Sequence, residues 1–196
     1  MSTTTLTRTT PPASRSDAGV ALWVFIGVAT TLFALFIMAY VMRMAGSDWS
    51  SIALPWQLGL ATALLAAGSA AMALAARAAQ RADGTRARAM LLAGGACAAA
   101  FLGAQLWGWA ALLEAHVLVN GNPAASFFYL LTAMHGLHVI GGLIAWGFAT
   151  RAPAAIVLCA RYWHFLLAVW LVLLATLAGV TPAFVAWACG PLGVVR

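Results

Sequence analysis

The chain alternates between long apolar segments and short polar breaks. Five apolar segments lie at residues 20–42, 54–76, 89–113, 124–149 and 156–180. Each reaches the roughly 20 residues that a helix needs to cross the hydrocarbon core of a bilayer. A backbone surrounded by lipid must satisfy its polar groups internally, so each segment is predicted to be an α-helix. The pattern therefore predicts an all-α integral membrane protein with five transmembrane helices.

The composition strengthens this prediction. Of the 196 residues, 64% are hydrophobic and 7% are charged. In a soluble domain, about a quarter of the residues are charged. The net charge of +6 comes from ten arginines that lie singly in or near the polar breaks. This positive charge therefore bears on membrane topology rather than on nucleic-acid binding.

The arginines are distributed unequally between the two sides of the predicted membrane. Eight lie in the N-terminal tail, the second loop and the fourth loop, and two, Arg43 and Arg196, lie on the other side. Because cytoplasmic loops carry an excess of basic residues, the N-terminus is predicted inside and the C-terminus outside. Residues 1–19 are predicted to form a disordered cytoplasmic tail, residues 20–181 the membrane domain and residues 182–196 an outer-surface tail.

Small and polar residues form stripes on three of the predicted helices. Such stripes favour helix contacts in lipid, because backbones approach closely there and polar groups find partners. The stripes are Gly94, Ala98, Gln105 and Trp109 on the third helix, His135, His138, Gly142, Ala145 and Ala149 on the fourth, and His164, Ala168, Ala175 and Gly179 on the fifth. We expect helices three to five to form one bundle and helices one and two a second bundle.

Three histidines lie within the predicted spans, and intramembrane histidines are candidates for function. A bis-imidazole haem site would take one histidine from the fourth helix and His164 from the fifth. His135 and His138 lie near the middle of the fourth helix, whereas His164 lies in the second turn of the fifth, so the depths do not match at 1.5 Å per residue. A metal site lacks a third ligand, and the single glutamate, Glu114, lies at a helix end. Packing and polar contact is therefore the favoured role.

Two motifs resemble a known family. "SFFYLLTAMHGLHVIGGL" begins at Ser126 and "YWHFLLAVWLVLL" begins at Tyr162. In this order they resemble subunit III of the haem-copper terminal oxidases, whose members show an HGLHV signature and a YWHF helix start. Five helices with the N-terminus inside are similar to the short form of that family. The weaker similarity of the flanking helices extends over about residues 20–181.

The resemblance implies a non-catalytic integral membrane subunit of a respiratory oxygen reductase, most similar to cytochrome c oxidase, in a bacterial cytoplasmic (inner) membrane. Its expected partner is the catalytic subunit I, and haem and copper are expected in the partner subunits. Bound phospholipid is expected in a cleft between the first two helices and the rest. The resemblance implies no catalytic, cofactor or metal residue in this chain. The expected contacts with helices, lipid or subunits are made by His135, His138, Gly142, Tyr162, Trp163, His164 and Gln105.

The sequence departs from the family at four positions where other members carry carboxylates. Here these positions hold Ala29, Gly108, Val157 and Leu167. Whatever the acids do in other members is therefore not carried over to this chain. Two alternatives stay open at this point: an accessory subunit of a nitric oxide reductase system, and a b-type membrane cytochrome with two histidine ligands.

Overall fold

The computed structural model describes residues 15–189, and every regular element in that range is helical. The helices are α1 (Arg15–Arg43), α2 (Gln57–Gln80), α3 (Gly84–Glu114), α4 (Pro123–Ala149), α5 (Ile156–Gly179) and the short α6 (Pro182–Cys189), with one 3-10 turn at Pro153–Ala155. The first five are long and apolar enough to cross a membrane. The prediction of five membrane-spanning helices is confirmed.

The predicted ends differ most at the two termini. Helix α1 begins at Arg15, five residues before the predicted start, so residues 15–19 of the predicted tail are helical. Helix α6 occupies most of the predicted C-terminal tail, and its Val185 packs against Tyr40 and Met44 at the end of α1. The remainder of both predicted tails, residues 1–14 and 190–196, lies outside the described residues.

Short capped connections hold consecutive helices side by side. Asn122 Oδ1 accepts a hydrogen bond from the Ala125 amide at 2.9 Å, with Pro123 at the first helical position, as the Asn-Pro pair predicts. Asp83 caps α3 in the same way, through the Arg86 amide at 3.0 Å. Only three residues join α2 to α3, and Ala82 among them takes a left-handed backbone with φ of 59°. Such a short turn makes α2 and α3 antiparallel neighbours.

The packing of the helices differs from the predicted division into two bundles. Helix α2 packs along α3 and α5, while α4 packs on α3 and α5, so these four helices form a closed ring. Helix α1 lies outside the ring against α4 and α5 and is the least buried of the five. The predicted pairing of the first two helices as a separate bundle is wrong. Helix α2 joins the ring because its small residues, including Gly68, allow close approach to Gly94 and Cys97 of α3.

The buried face of α5 is also opposite to the predicted one. His164, Ala168, Ala175 and Gly179 are exposed, while Trp163, Leu166, Trp170 and Leu173 are buried inside the ring. Large side chains fill the space that the alanine-rich α2 and α3 leave open. On α4 the prediction holds for His135, Gly142 and Ala149, which are buried, and fails at Ala145, which is exposed.

A close approach between α3 and α4 depends on Gly95. The indole of Trp146 lies against this glycine, and its Nε1 donates a hydrogen bond to the Leu91 carbonyl at 2.7 Å. A Cβ at residue 95 would overlap the indole ring carbons. The contact therefore combines the absence of a side chain on α3 with a large side chain on α4.

Gly95→Ala should lower the thermal stability of the chain in detergent, because the indole must move and lose its hydrogen bond to Leu91. Overpacking of this kind costs about 1–3 kcal/mol. The matched control is Gly103→Ala on the same helix, where a Cβ meets nothing within 4 Å. Thermal unfolding followed by circular dichroism measures both variants, and equal melting temperatures would contradict the packing described for Gly95.

Candidate functional site

His135 lies at the centre of the molecule, where four helices meet. Its side chain is fully buried, and its ring packs against Phe33 of α1, Phe101 of α3 and Trp170 of α5, with centroid distances of 6.3, 5.7 and 5.2 Å. Neither ring nitrogen has a hydrogen-bond partner among the described residues. His135 therefore contacts this chain's own aromatic residues on every side.

His138 joins α4 to α1 and α5. Its Nδ1 donates to the Met134 carbonyl at 2.8 Å, one turn earlier, and its ring packs against Phe33 and Phe25 of α1. Its own carbonyl accepts a hydrogen bond from the Tyr162 hydroxyl at 3.0 Å. His138 on α4 therefore contacts both α1 and α5.

Gly142, one turn further along α4, lets α5 approach closely. A Cβ at this position would lie 3.1 Å from both Leu166 Cδ1 and Tyr162 Cε1 and 3.3 Å from Trp163 Cζ2. Trp163 is fully buried at this contact. Glycine at residue 142 thus makes room for Tyr162 and Trp163 of the "YWHF" motif.

His164 faces a different neighbour from the other two histidines. It is exposed on α5, and its Nδ1 lies 2.6 Å from the hydroxyl oxygen of Ser69 on α2. His135 is enclosed by aromatic rings, His138 packs against α1, and His164 pairs with α2. Among the described residues, no group of three or more His, Cys, Asp or Glu side chains is arranged to hold a metal ion. The geometry does not join His164 with a histidine of α4 at one site.

Two pairs of indole and hydroxyl groups link the helices at the level of the buried histidine. Trp170 Nε1 donates to Thr62 Oγ1 at 2.9 Å, and Trp109 Nε1 donates to Thr132 Oγ1 at 3.1 Å. Gln105, one turn before Trp109, is buried, and its amide has no partner among the described residues. Of the four residues in the two pairs, only Trp109 belongs to a stripe predicted from the sequence, the one on the third helix.

A largely apolar groove runs between α1 and the pair α4 and α5. Its volume is about 490 Å³. The groove lies on the α1 side of the ring, and so does not separate helices one and two from the rest. Its walls include Leu22, Phe25, Ala145, Phe148 and Tyr162. These apolar walls would suit a lipid acyl chain or an apolar side chain of another protein.

The four positions at which the resemblance led us to expect carboxylates are spread over three helices. Ala29 on α1 and Gly108 on α3 are buried, and Val157 and Leu167 on α5 are partly buried. A Cβ at Gly108 would lie 3.6 Å from Cβ of Gln57, whose side chain is buried beside it. In this chain these positions contribute to helix packing.

The fold and these contacts define a multi-pass α-helical membrane protein whose histidine, tryptophan and tyrosine side chains link its own helices. Comparison with known proteins then identifies the family. The chain is 34% identical over 177 residues to the probable cytochrome c oxidase subunit 3 of Nocardia farcinica, covering 82% of this chain and 86% of that protein. The chain belongs to the cytochrome c oxidase subunit 3 family.

Shorter matches agree with this identification. The probable cytochrome c oxidase subunit 3 of Mycobacterium bovis is 35% identical over 83 residues, 37% of this chain and 41% of that protein. That of Mycobacterium leprae is 39% identical over 74 residues, 30% of this chain and 36% of that protein. No protein-family model matches the chain.

Gly142→Leu should separate α4 from α5, because the leucine side chain cannot fit against Tyr162 and Trp163. We expect a loss of about 1–3 kcal/mol. Gly147→Leu is the matched control on the same helix, since a Cβ there meets nothing within 4 Å. Thermal unfolding in detergent compares the two, and a control as destabilised as Gly142→Leu would contradict this role for Gly142.

The hydrogen bond between Trp170 and Thr62 can be measured by a double-mutant cycle with Trp170→Phe and Thr62→Val. Interhelical hydrogen bonds in membrane proteins average about 0.6 kcal/mol of coupling, with a maximum near 1.7. A second cycle, pairing Trp170→Phe with Ser69→Ala, should give no coupling, because Ser69 bonds to His164 instead. Equal coupling energies in the two cycles would contradict the hydrogen bond between Trp170 and Thr62.

Proposed function

We propose that this chain is a non-catalytic subunit of a respiratory haem-copper oxygen reductase, a cytochrome c oxidase. The main support is the 34% identity over 82% of the chain to a probable cytochrome c oxidase subunit 3. In this proposal, haem and copper reside in a partner subunit I, and the present chain packs against that subunit and stabilises it. The complex lies in a bacterial cytoplasmic membrane, with the N-terminus of this chain inside.

The polar contacts of the chain support a structural role. Tyr162, His138 and Trp163 hold α4 and α5 together, and His135 fills the centre of the helix packing. His164 differs from the other predicted contact residues, which are buried or partly buried, because it is exposed within a membrane-spanning helix. Since an exposed histidine is costly in hydrocarbon, His164 is the best placed of these residues to contact a partner subunit or a lipid headgroup.

The groove between α1 and the pair α4 and α5 supports the proposal of a bound phospholipid. Its walls are predominantly apolar, and it opens beside α1, the least buried helix. An acyl chain in this groove would fill the space that the loose packing of α1 leaves. In this proposal the lipid secures α1 to the ring and helps to keep the complex intact.

Purification of the tagged chain in mild detergent from its native membrane should co-isolate a larger haem- and copper-containing subunit and oxygen-consuming activity. Optical spectra, metal analysis and oxygen uptake measure the three properties. The chain produced without that subunit should show no Soret band, because we place the haem in the partner. A complex that reduces nitric oxide instead of oxygen, or a stoichiometric haem signal in the isolated chain, would contradict the proposal.

A further inference from the structure

Three arginines surround a groove where α2 ends and α3 begins. The groove has a volume of about 380 Å³ and is lined by Leu74, Arg77, Ala78, Arg81, Asp83 and Arg86. The three-residue turn between the helices holds its two walls in place, since Arg77 lies in the last turn of α2, Arg81 begins the turn and Arg86 lies in the first turn of α3. The groove is separate from the apolar groove beside α1.

Within residues 15–189, the three arginines of this groove outnumber its single acidic residue, Asp83, and form no ion pair with it. All three guanidinium-bearing residues are exposed, and within residues 15–189 none of them forms an ion pair. Asp83 is the one acidic residue lining the groove, and its Oδ1 already accepts the Arg86 amide as the cap of α3. In contrast, the loop after α1 pairs Arg43 with Asp48 at 2.6 Å, and this hydrogen bond lowers the pKa of the Asp48 carboxyl. The two loops therefore differ in the charge that they leave unpaired.

Two apolar residues also line the groove: Leu74, which precedes the arginines on α2, and Ala78, which lies between Arg77 and Arg81. Leu74 is one turn before Arg77 and Ala78, and it is exposed on α2. A ligand in this groove would meet positive charge at the helix ends and an apolar surface along the membrane-spanning segment. An anionic phospholipid has the matching arrangement, because its charged phosphate headgroup is attached to apolar acyl chains. Guanidinium groups bind phosphate through paired hydrogen bonds.

We propose that the groove between the end of α2 and the start of α3 binds the headgroup of an anionic phospholipid. Arg77, Arg81 and Arg86 bind the headgroup phosphate, and Leu74 contacts the first part of an acyl chain. This proposal does not depend on the oxidase role, because it requires only the chain and a membrane. Basic clusters next to membrane-spanning helices attract anionic lipids, and each arginine raises the affinity about fivefold.

The test uses the purified full chain in mild detergent, titrated with phosphatidylglycerol or phosphatidylcholine, with lipid adducts counted by native mass spectrometry. Phosphatidylglycerol should bind at least tenfold more tightly than phosphatidylcholine. Arg81→Gln should weaken phosphatidylglycerol binding about fivefold. The triple variant Arg77→Gln, Arg81→Gln, Arg86→Gln should abolish the preference. The same three positions changed to Lys should retain part of it, because the charge is kept while the paired hydrogen bonds are lost.

The matched control is Arg161→Gln, which removes one charge from an exposed arginine on α5 that does not line the groove. Its phosphatidylglycerol affinity should stay within twofold of the unmodified chain. Equal effects of Arg81→Gln and Arg161→Gln would overturn the proposal, as would equal binding of the two lipids. Displacement of the lipid by inorganic phosphate at equal concentration would also overturn it, because the site would then bind free phosphate. If the triple glutamine variant loses helical circular dichroism, the pair Arg81→Gln and Arg161→Gln decides the question.

Discussion

Helices in a bilayer gain little from contact between apolar side chains, because lipid tails are as apolar as leucine. Their association must come from close packing and from polar groups that bond across helices. This chain meets the constraint at Gly95, where the Trp146 indole lies against the backbone of α3, and at Gly142, where Tyr162 and Trp163 approach α4. Because α4 takes part in both contacts, they join α4 to α3 and to α5 and so complete the ring of α2, α3, α4 and α5.

The same constraint explains how the chain uses its polar residues. The indole and hydroxyl pairs, the Tyr162 hydroxyl on the His138 carbonyl and the His164 contact with Ser69 each join two helices. A histidine used in this way stabilises a scaffold. This use of the polar residues fits a protein of the cytochrome c oxidase subunit 3 family that we propose to support a catalytic neighbour.

The site was predictable only in part. The HGLHV and YWHF motifs lie on α4 and α5, and the small residue at Gly142 indicated the close contact that α4 makes with α5. The partners of these residues were not predictable, because Thr132, Leu91 and the Met134 carbonyl carry no sequence signal of their own. A hydrogen bond between helices depends on the relative height and rotation of both helices, which a single segment does not encode.

Five membrane-spanning helices, the cap at Asn122 and the concentration of arginine in particular loops are predictable from the sequence, since they follow from local length, composition and turn chemistry. The choice of neighbouring helices is not predictable in this way. Helix α2 joins the ring with α3 and α5, and α5 buries its tryptophans instead of its small residues. Apolar residues cover most of the surface of each helix, and the few polar residues are too sparse to mark one buried face. Hydrophobic periodicity then no longer distinguishes the face toward lipid from the face toward protein, and the fit between neighbouring side chains makes the choice.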